Sequence, residues 1–151
     1  MRISLGSDHR GVTLVQSFVA QLRGAGHDPV VLGECSGASC DYPDIAWLVA
    51  NSVARGESDR GILVCGTGIG MCIAANKIDG IRAALASDEL AAQLSRSHND
   101  ANVLCLSADL IGPILAKRIL DVWMSTTFEG GRHERRLAKI TRIEHGEAPS
   151  P

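Results

Sequence analysis

The chain has 151 residues, enough to bury one real core and short for two domains. Its 15 Lys and Arg against 17 Asp and Glu leave a net charge of −2, so nothing global attracts nucleic acid or an anionic membrane, and aromatic residues at 3% are too few for base stacking. The opening Arg2-Ile3-Ser4-Leu5-Gly6 lacks the apolar core of a signal peptide and no later run is long enough to span a bilayer, so a soluble cytoplasmic protein is expected.

Short apolar runs alternate with longer amphipathic ones. Ile3-Ser4-Leu5 reads as a strand, followed by a helix from Val12 to Arg23; Pro29 to Leu32 is a strand, followed by a helix from Ile45 to Ala54. Ile62 to Cys65 then leads into a short helix toward Asn76, Arg82 to Ala86 into a helix from Glu89 to about Ser97, and Val103 to Leu106 into a helix from Ile111 to Met124. Gly130 and Gly131 punctuate the chain before a charged helix running to about Glu144.

Five strands alternating with helices predict an α/β doubly wound three-layer sandwich, Rossmann-like, with a five-stranded parallel sheet and an additional C-terminal helix. Residues 1–145 read as one domain and 146–151 as a frayed tail. The five cysteines, Cys35, Cys40, Cys65, Cys72 and Cys105, are odd in number. Three of them lie in or beside apolar runs, which suits free thiols in a reducing compartment and implies no disulfide framework.

Ligands on such sheets sit outside the carboxyl ends of the strands. That edge receives Asp8 and His9, Cys65 to Gly70, Ser87 and Asp88, and Ser107 to Asp109. The stretch Cys65-Gly66-Thr67-Gly68-Ile69-Gly70 places glycine at every second position, so backbone N–H groups can converge on an anion beside a thiol. A plain strand-to-helix turn is the competing reading. The spacing is not that of a dinucleotide fingerprint, and no Lys-Ser or Lys-Thr pair completes a P-loop.

Cys65 at a strand end could be a small buried hydrophobe. Converging N–H dipoles would instead favour its thiolate and make it a base or nucleophile near neutral pH. Cys72 and Cys105 read as core residues, and Cys35 and Cys40 lack the companions a zinc site needs. His98, in Ser97-His98-Asn99-Asp100, reads first as a helix C-cap, while Ser7 or Asp8 beside His9 could equally cap a helix N-terminus. Both histidines are expected at the same edge. Arg132 and Arg136, four apart, share one helix face and can fork onto a single phosphate or simply form a solvated basic face.

These pieces, in order, resemble the type B ribose-5-phosphate isomerases and the related galactose-6-phosphate isomerase subunits. The resemblance runs through Gly6-Ser7-Asp8-His9, Asp41-Tyr42-Pro43, Cys65 to Gly70, Ala74-Ala75-Asn76-Lys77, Gly80-Ile81-Arg82-Ala83, Ser97 to Leu104 and Gly130-Gly131-Arg132-His133. It implies an aldose–ketose isomerase working through a cis-enediolate without cofactor or metal. It further implies Cys65 as the proton-transferring base, Thr67 with the N–H groups of Gly66, Gly68, Ile69 and Gly70 as the enediolate cradle, and His98 as the ring-opening residue. Asp8, His9, Tyr42 and Asn99 match substrate-contacting positions, and Arg132 and Arg136 match phosphate-binding arginines. One branch of the family carries a glutamate base just after the loop; Met71 stands there in this chain, placing it with the cysteine branch.

One position departs from the family pattern: Asp109 stands where a further phosphate-binding arginine is usual. Another phosphorylated or free sugar of tetrose, allose or galactose type is therefore an alternative substrate. A noncatalytic anion-binding or thiol redox-sensing module is the alternative of a different class. The resemblance also implies a homodimer or larger assembly, such as a tetramer, with sites near the subunit interface.

Overall fold

The computed structural model describes residues 1–33 and 39–149. Its elements follow the predicted rhythm: β1 Arg2–Ser7, α1 Val12–Gly24, β2 Asp28–Val31, α2 Tyr42–Ala54, β3 Arg60–Cys65, α3 Ile69–Ala75, β4 Ala83–Leu85, α4 Glu89–Ser97, β5 Val103–Ser107, α5 Pro113–Ser125 and α6 Arg132–Glu144. The strands form one sheet in the order β2-β1-β3-β5-β4, with every pairing parallel. The fold class read from the sequence is the one observed.

Successive side chains on a strand face opposite layers, and β3 and β5 feed both. Ile62, Val64, Leu104 and Leu106 pack with Leu14, Phe18, Ile119 and Trp123 of α1 and α5, whereas Leu63, Cys65, Val103 and Cys105 pack with Ile45, Val49, Met71 and Ala75 of α2 and α3. Such two-faced burial explains why these strands are almost wholly apolar. Trp123 is fully buried, with the guanidinium carbons of Arg60 and Arg96 at 5.1 and 5.7 Å from its ring centroid.

The strand order reverses direction between β1 and β3, so the loops leaving their carboxyl ends diverge and open a crevice. That crevice is where Asp8, His9 and the glycine loop emerge. Residues 146–149 are irregular. Cys65, Cys72 and Cys105, the three in or beside apolar runs, are free thiols as expected, but Cys40 is disulfide-bonded, which corrects the expectation that no disulfide forms. An odd total excludes complete pairing, not a bridge. Cys35 lies outside the described residues.

Candidate active site

The site begins with the end of β3. Cys65 pairs in register with Ser107, the last residue of β5, and is nearly buried on the α2/α3 side of the sheet. The chain then turns through Gly68 at φ +77°, which donates its N–H to the Cys65 sulfur at 3.1 Å. An L residue there would be strained, and its Cβ would meet Leu85 Cδ1 at 2.5 Å and the Leu106 carbonyl at 3.0 Å. Glycine at Gly70 has a different cause: a Cβ would strike the Tyr42 ring at 2.6 Å, so the ring lies directly on the first turn of α3.

Thr67 Oγ1 accepts the Ile69 N–H at 3.3 Å. Among the described residues, the N–H groups of Gly66, Thr67, Gly70 and Met71 have no acceptor. The loop thus offers a set of orphan donors next to a sulfur, an arrangement suited to an oxyanion beside a proton-transferring group. The Met71 side chain is fully buried beneath it and takes no part.

The β1 loop closes one side. Asp8 is buried and accepts the Arg10 N–H at 2.9 Å, while His9 is exposed. Neither Ser7 nor Asp8 caps α1, whose N-cap is Gly11; Asp8 is spent two residues earlier on the loop's own turn. On the β5 side, Ser107 Oγ donates to Gly66 O at 2.6 Å, and Asp109 N–H donates to the same carbonyl at 3.1 Å. The Asp109 carboxylate takes the Arg10 guanidinium at 2.7 Å through Nε.

His98 is elsewhere. It is the C-cap of α4, as its sequence context suggested, and a helix that leaves the carboxyl end of β4 finishes at the amino end of β5. The next turn is bolted to that end of the sheet. Asp100, at φ +45°, binds Arg96 Nη1 at 2.8 Å and Arg82 Nη2 at 2.9 Å, while Arg82 Nε reaches Asn99 O and Gly61 N–H reaches Asn102 O. The expectation that His9 and His98 share an edge is therefore corrected. The length of β5, roughly 13 Å at 3.3 Å per residue, separates them.

The C-terminal helix joins His98 at the amino edge. Glu129 N–H binds Ser97 O at 3.0 Å, Gly80 N–H binds Glu144 Oε1 at 2.9 Å, and Ile140 shares a cavity with Arg82 and Asn99. His133, buried, stacks on His98 with centroids 4.2 Å apart and planes 9° from parallel. Glu129 Oε2 lies 3.9 Å from His98 Nε2 and 3.7 Å from His133 Nε2, and Arg132 Nε is 3.3 Å from His133 Nε2. Burial first, and then the positive charge of His98, Arg132 and Arg136, push the His133 pKa down.

The predicted residues thus form two groups: Asp8, His9, Tyr42, Cys65 and Gly66 to Gly70 at the carboxyl edge, and His98, Asn99, Arg132 and Arg136 at the amino edge. Sequence reasoning singled out neither Glu129 nor His133 for chemistry, although His133 stands in the quoted Gly130-Gly131-Arg132-His133 motif. His98, Glu129 and His133 bring three potential metal-ligating atoms within 4.8 Å. Parallel rings keep the imidazole lone pairs from converging, and Arg132 already claims one of them, so the cluster suits a shared carboxylate better than an ion.

Comparison with known proteins fixes the lineage. The Ribose/Galactose Isomerase family model matches residues 3–140. The chain belongs to that family. It is 48% identical over 143 residues to ribose-5-phosphate isomerase B of Escherichia coli, covering 95% of this chain and 96% of that protein. It is 40% identical over 154 residues to D-erythrulose-4-phosphate isomerase of Pectobacterium atrosepticum, covering 97% of each. Among solved structures, ribose-5-phosphate isomerase B of Mycoplasma genitalium with bound ribulose-5-phosphate superposes with a TM-score of 0.91 at 44% identity, covering 95% of this chain and 96% of that one.

The other thiols of this family member hold one surprise. Cys72, half-buried on α3, has its pKa lowered to about 7, first by a hydrogen bond from Cys105 and then by backbone and Asn76 donors, against the effect of burial. Cys105, wholly buried, is correspondingly pushed up. Cys72 packs against the α2/α3 core as expected, and its Sγ also reaches Ala83 O at 3.4 Å.

Proposed function

We propose that the protein interconverts ribose 5-phosphate and ribulose 5-phosphate through a cis-enediolate. The observation that carries this reading is the Cys65 sulfur at the mouth of a loop of orphan N–H donors, in a chain of this family. Cys65 as thiolate takes the C2 proton of the open-chain aldose and returns it to C1. The N–H groups of the loop and the Thr67 hydroxyl hold the oxygens on C1 and C2 as charge develops there.

Ring opening and phosphate binding need the groups at the other edge, and a two-fold dimer supplies them. Helix α3 runs from Gly68 at the carboxyl edge to Asn76, which binds Ala83 at the start of β4. Its outward face carries Ile69 and Ile73, four apart and half exposed, with Tyr42 and Trp47 exposed on the adjoining α2. Packing α3 antiparallel against its copy buries this apolar face and sets each carboxyl edge against the other chain's amino edge. The partner's His98 then opens the sugar ring over Cys65, Asn99 of the partner subunit contacts the sugar, and the partner's Arg132 and Arg136 hold the phosphate. His9, Asp8 and Tyr42 line the near side.

A panel of pentose, tetrose and hexose phosphates with the free sugars beside them, scored by kcat/KM in the presence of a chelator, tests the substrate. Ribose 5-phosphate is expected to lead, with solvent exchange at C2. A tetrose phosphate in first place would move the assignment to the other activity named among its relatives. Reversible Cys65 oxidation with no turnover of any sugar would replace it by a redox-sensing role.

A further inference from the structure

We propose that Arg10 is a phosphate-binding residue of the substrate site, aimed by Asp109, and so supplies the cation that position 109 itself lacks. The proposal rests on the isomerase reading above and adds to it a ligand for the sugar's phosphate ester on the Cys65 side of the dimer. It stands on where the ion pair lies. A Cβ built on Gly66, the residue after Cys65, would meet Asp109 Oδ2 at 2.9 Å, Arg10 Cδ at 3.2 Å and Arg10 Nε at 3.3 Å. The pair therefore lies across the glycine loop itself, and Gly66 is side-chain-free where the two charged groups cross it.

Both ends of the pair are tethered. Asp109 hangs from Gly66 O and Ser107 Oγ through its own N–H, at 3.1 and 3.2 Å, and Arg10 N–H is held by Asp8 Oδ1 at 2.9 Å. The strand-end loops of β1, β3 and β5 are thus joined, β5 to β3 through the Asp109 N–H and β5 to β1 through the Arg10 guanidinium. Asp109 uses only Nε, and neither Nη group of Arg10 has a partner among the described residues. A guanidinium gripped by Nε keeps its Nη donors as a fork of the geometry that phosphate oxygens accept. The side chain is 54% exposed, so an incoming anion can reach that fork. The hydrogen bond and charge of Asp109 raise the Arg10 pKa further, which keeps the cation at every working pH.

Asp109 is in this view a positioning residue: it selects the rotamer of Arg10 and touches no substrate. A carboxylate facing the phosphate directly would repel it, and the pairing with Arg10 resolves that conflict without removing the acid.

The test is steady-state kinetics on ribose 5-phosphate together with calorimetric binding of inorganic phosphate to the intact protein, for wild type, Arg10→Ala, Arg10→Gln, Asp109→Asn and the Arg10→Ala/Asp109→Asn double variant. Losing a charge-assisted fork raises KM about 10- to 100-fold and weakens phosphate binding in parallel, with kcat within about threefold. Asp109→Asn raises KM about 3- to 10-fold, and this effect vanishes in the Arg10→Ala background, as expected for a residue acting through Arg10. KM and phosphate affinity within about twofold of wild type in both Arg10 variants overturn the proposal. A lower KM in Asp109→Asn overturns the positioning role, since Asp109 would then be masking Arg10. If wild type leaves ribose 5-phosphate unturned, the substrate reading fails, while the phosphate-binding arm still decides on Arg10.

Discussion

Cys65 and His98 stand at opposite ends of one parallel sheet, the first in register with the last residue of β5 and the second five residues before that strand begins. A site that needs both is intermolecular. Two inactive variants, Cys65→Ala and His98→Ala, should therefore rescue one another when their subunits are exchanged. In a heterodimer one site carries both lesions and the other carries neither. Random mixing makes half the dimers hybrid, with one of two sites intact, so activity should recover to about a quarter of wild type. Each variant alone should fall at least 100-fold, the scale of a lost acid–base group. No recovery after verified exchange would place both groups in one chain's site.

The proposed dimer uses α3 as its interface. Ile73 is 58% exposed and sits one turn beyond Ile69, so Ile73→Asp should cost the isolated chain little stability. In a dimer built on α3 it buries an unpaired carboxylate, a strongly unfavourable change. Sedimentation should show monomer, and activity should disappear although Cys65 and the glycine loop are untouched. A dimeric and active Ile73→Asp protein would send the two-fold axis to another face.

Gly68→Ala examines the cradle itself. The position combines φ +77° with backbone atoms 3.0 Å from the added methyl, so the substitution forces either strain of about 1–3 kcal/mol or a shift of the loop away from Leu106. Either result moves the N–H that faces the Cys65 sulfur. Thermal melting should fall modestly while kcat falls far more, and the ratio of the two effects separates a catalytic loop from a structural turn.

Much of this was readable from the chain. Apolar runs such as Ile62 to Cys65 marked the strands because a sheet covered on both faces demands them, and Gly66-Thr67-Gly68 marked the turn because only glycine accepts the Gly68 backbone. The edge on which His98 falls followed from topology, since a helix leaving a carboxyl end must return to the amino end. The shared edge expected for His9 and His98 set that topology aside, because both lie in polar clusters beside strands and the sequence does not say at which end of its strand a cluster sits. Arg10 and Asp109 are 99 residues apart, with no periodicity to link them. Asp109 alone looked like a missing cation; only the folded chain supplies the Arg10 beside it.

Cys72 offers a chemical check on the α3 layer. With a pKa of about 7 it is roughly half thiolate at neutral pH, whereas Cys105 stays protonated in the core. Iodoacetamide at pH 7 should label Cys72 well ahead of Cys105, with a rate that rises through a midpoint near 7. Cys105→Ala removes the leading hydrogen bond and should move that midpoint up toward the free-thiol value of about 8.5. Peptide mass spectrometry reads both, and an unmoved midpoint would assign the shift to the Asn76 and backbone donors.

His133 should make stability fall in acid. Its folded pKa lies below the ordinary value of about 6.5, so between the two the unfolded chain binds the extra proton more readily. The contribution is fully present above about pH 6.5 and is lost as the pH drops below it, until the folded imidazole also titrates. Protonation sets a cation on the stacked His98 ring and beside Arg132, with Glu129 as the compensating charge. The melting temperature should therefore drop more between pH 7 and 5.5 in wild type than in His133→Gln, which cannot take up the proton. Glu129→Gln should steepen the wild-type decline, because it removes the group that holds the His133 pKa up. Parallel curves for wild type and His133→Gln would assign the acid sensitivity to groups outside this stack.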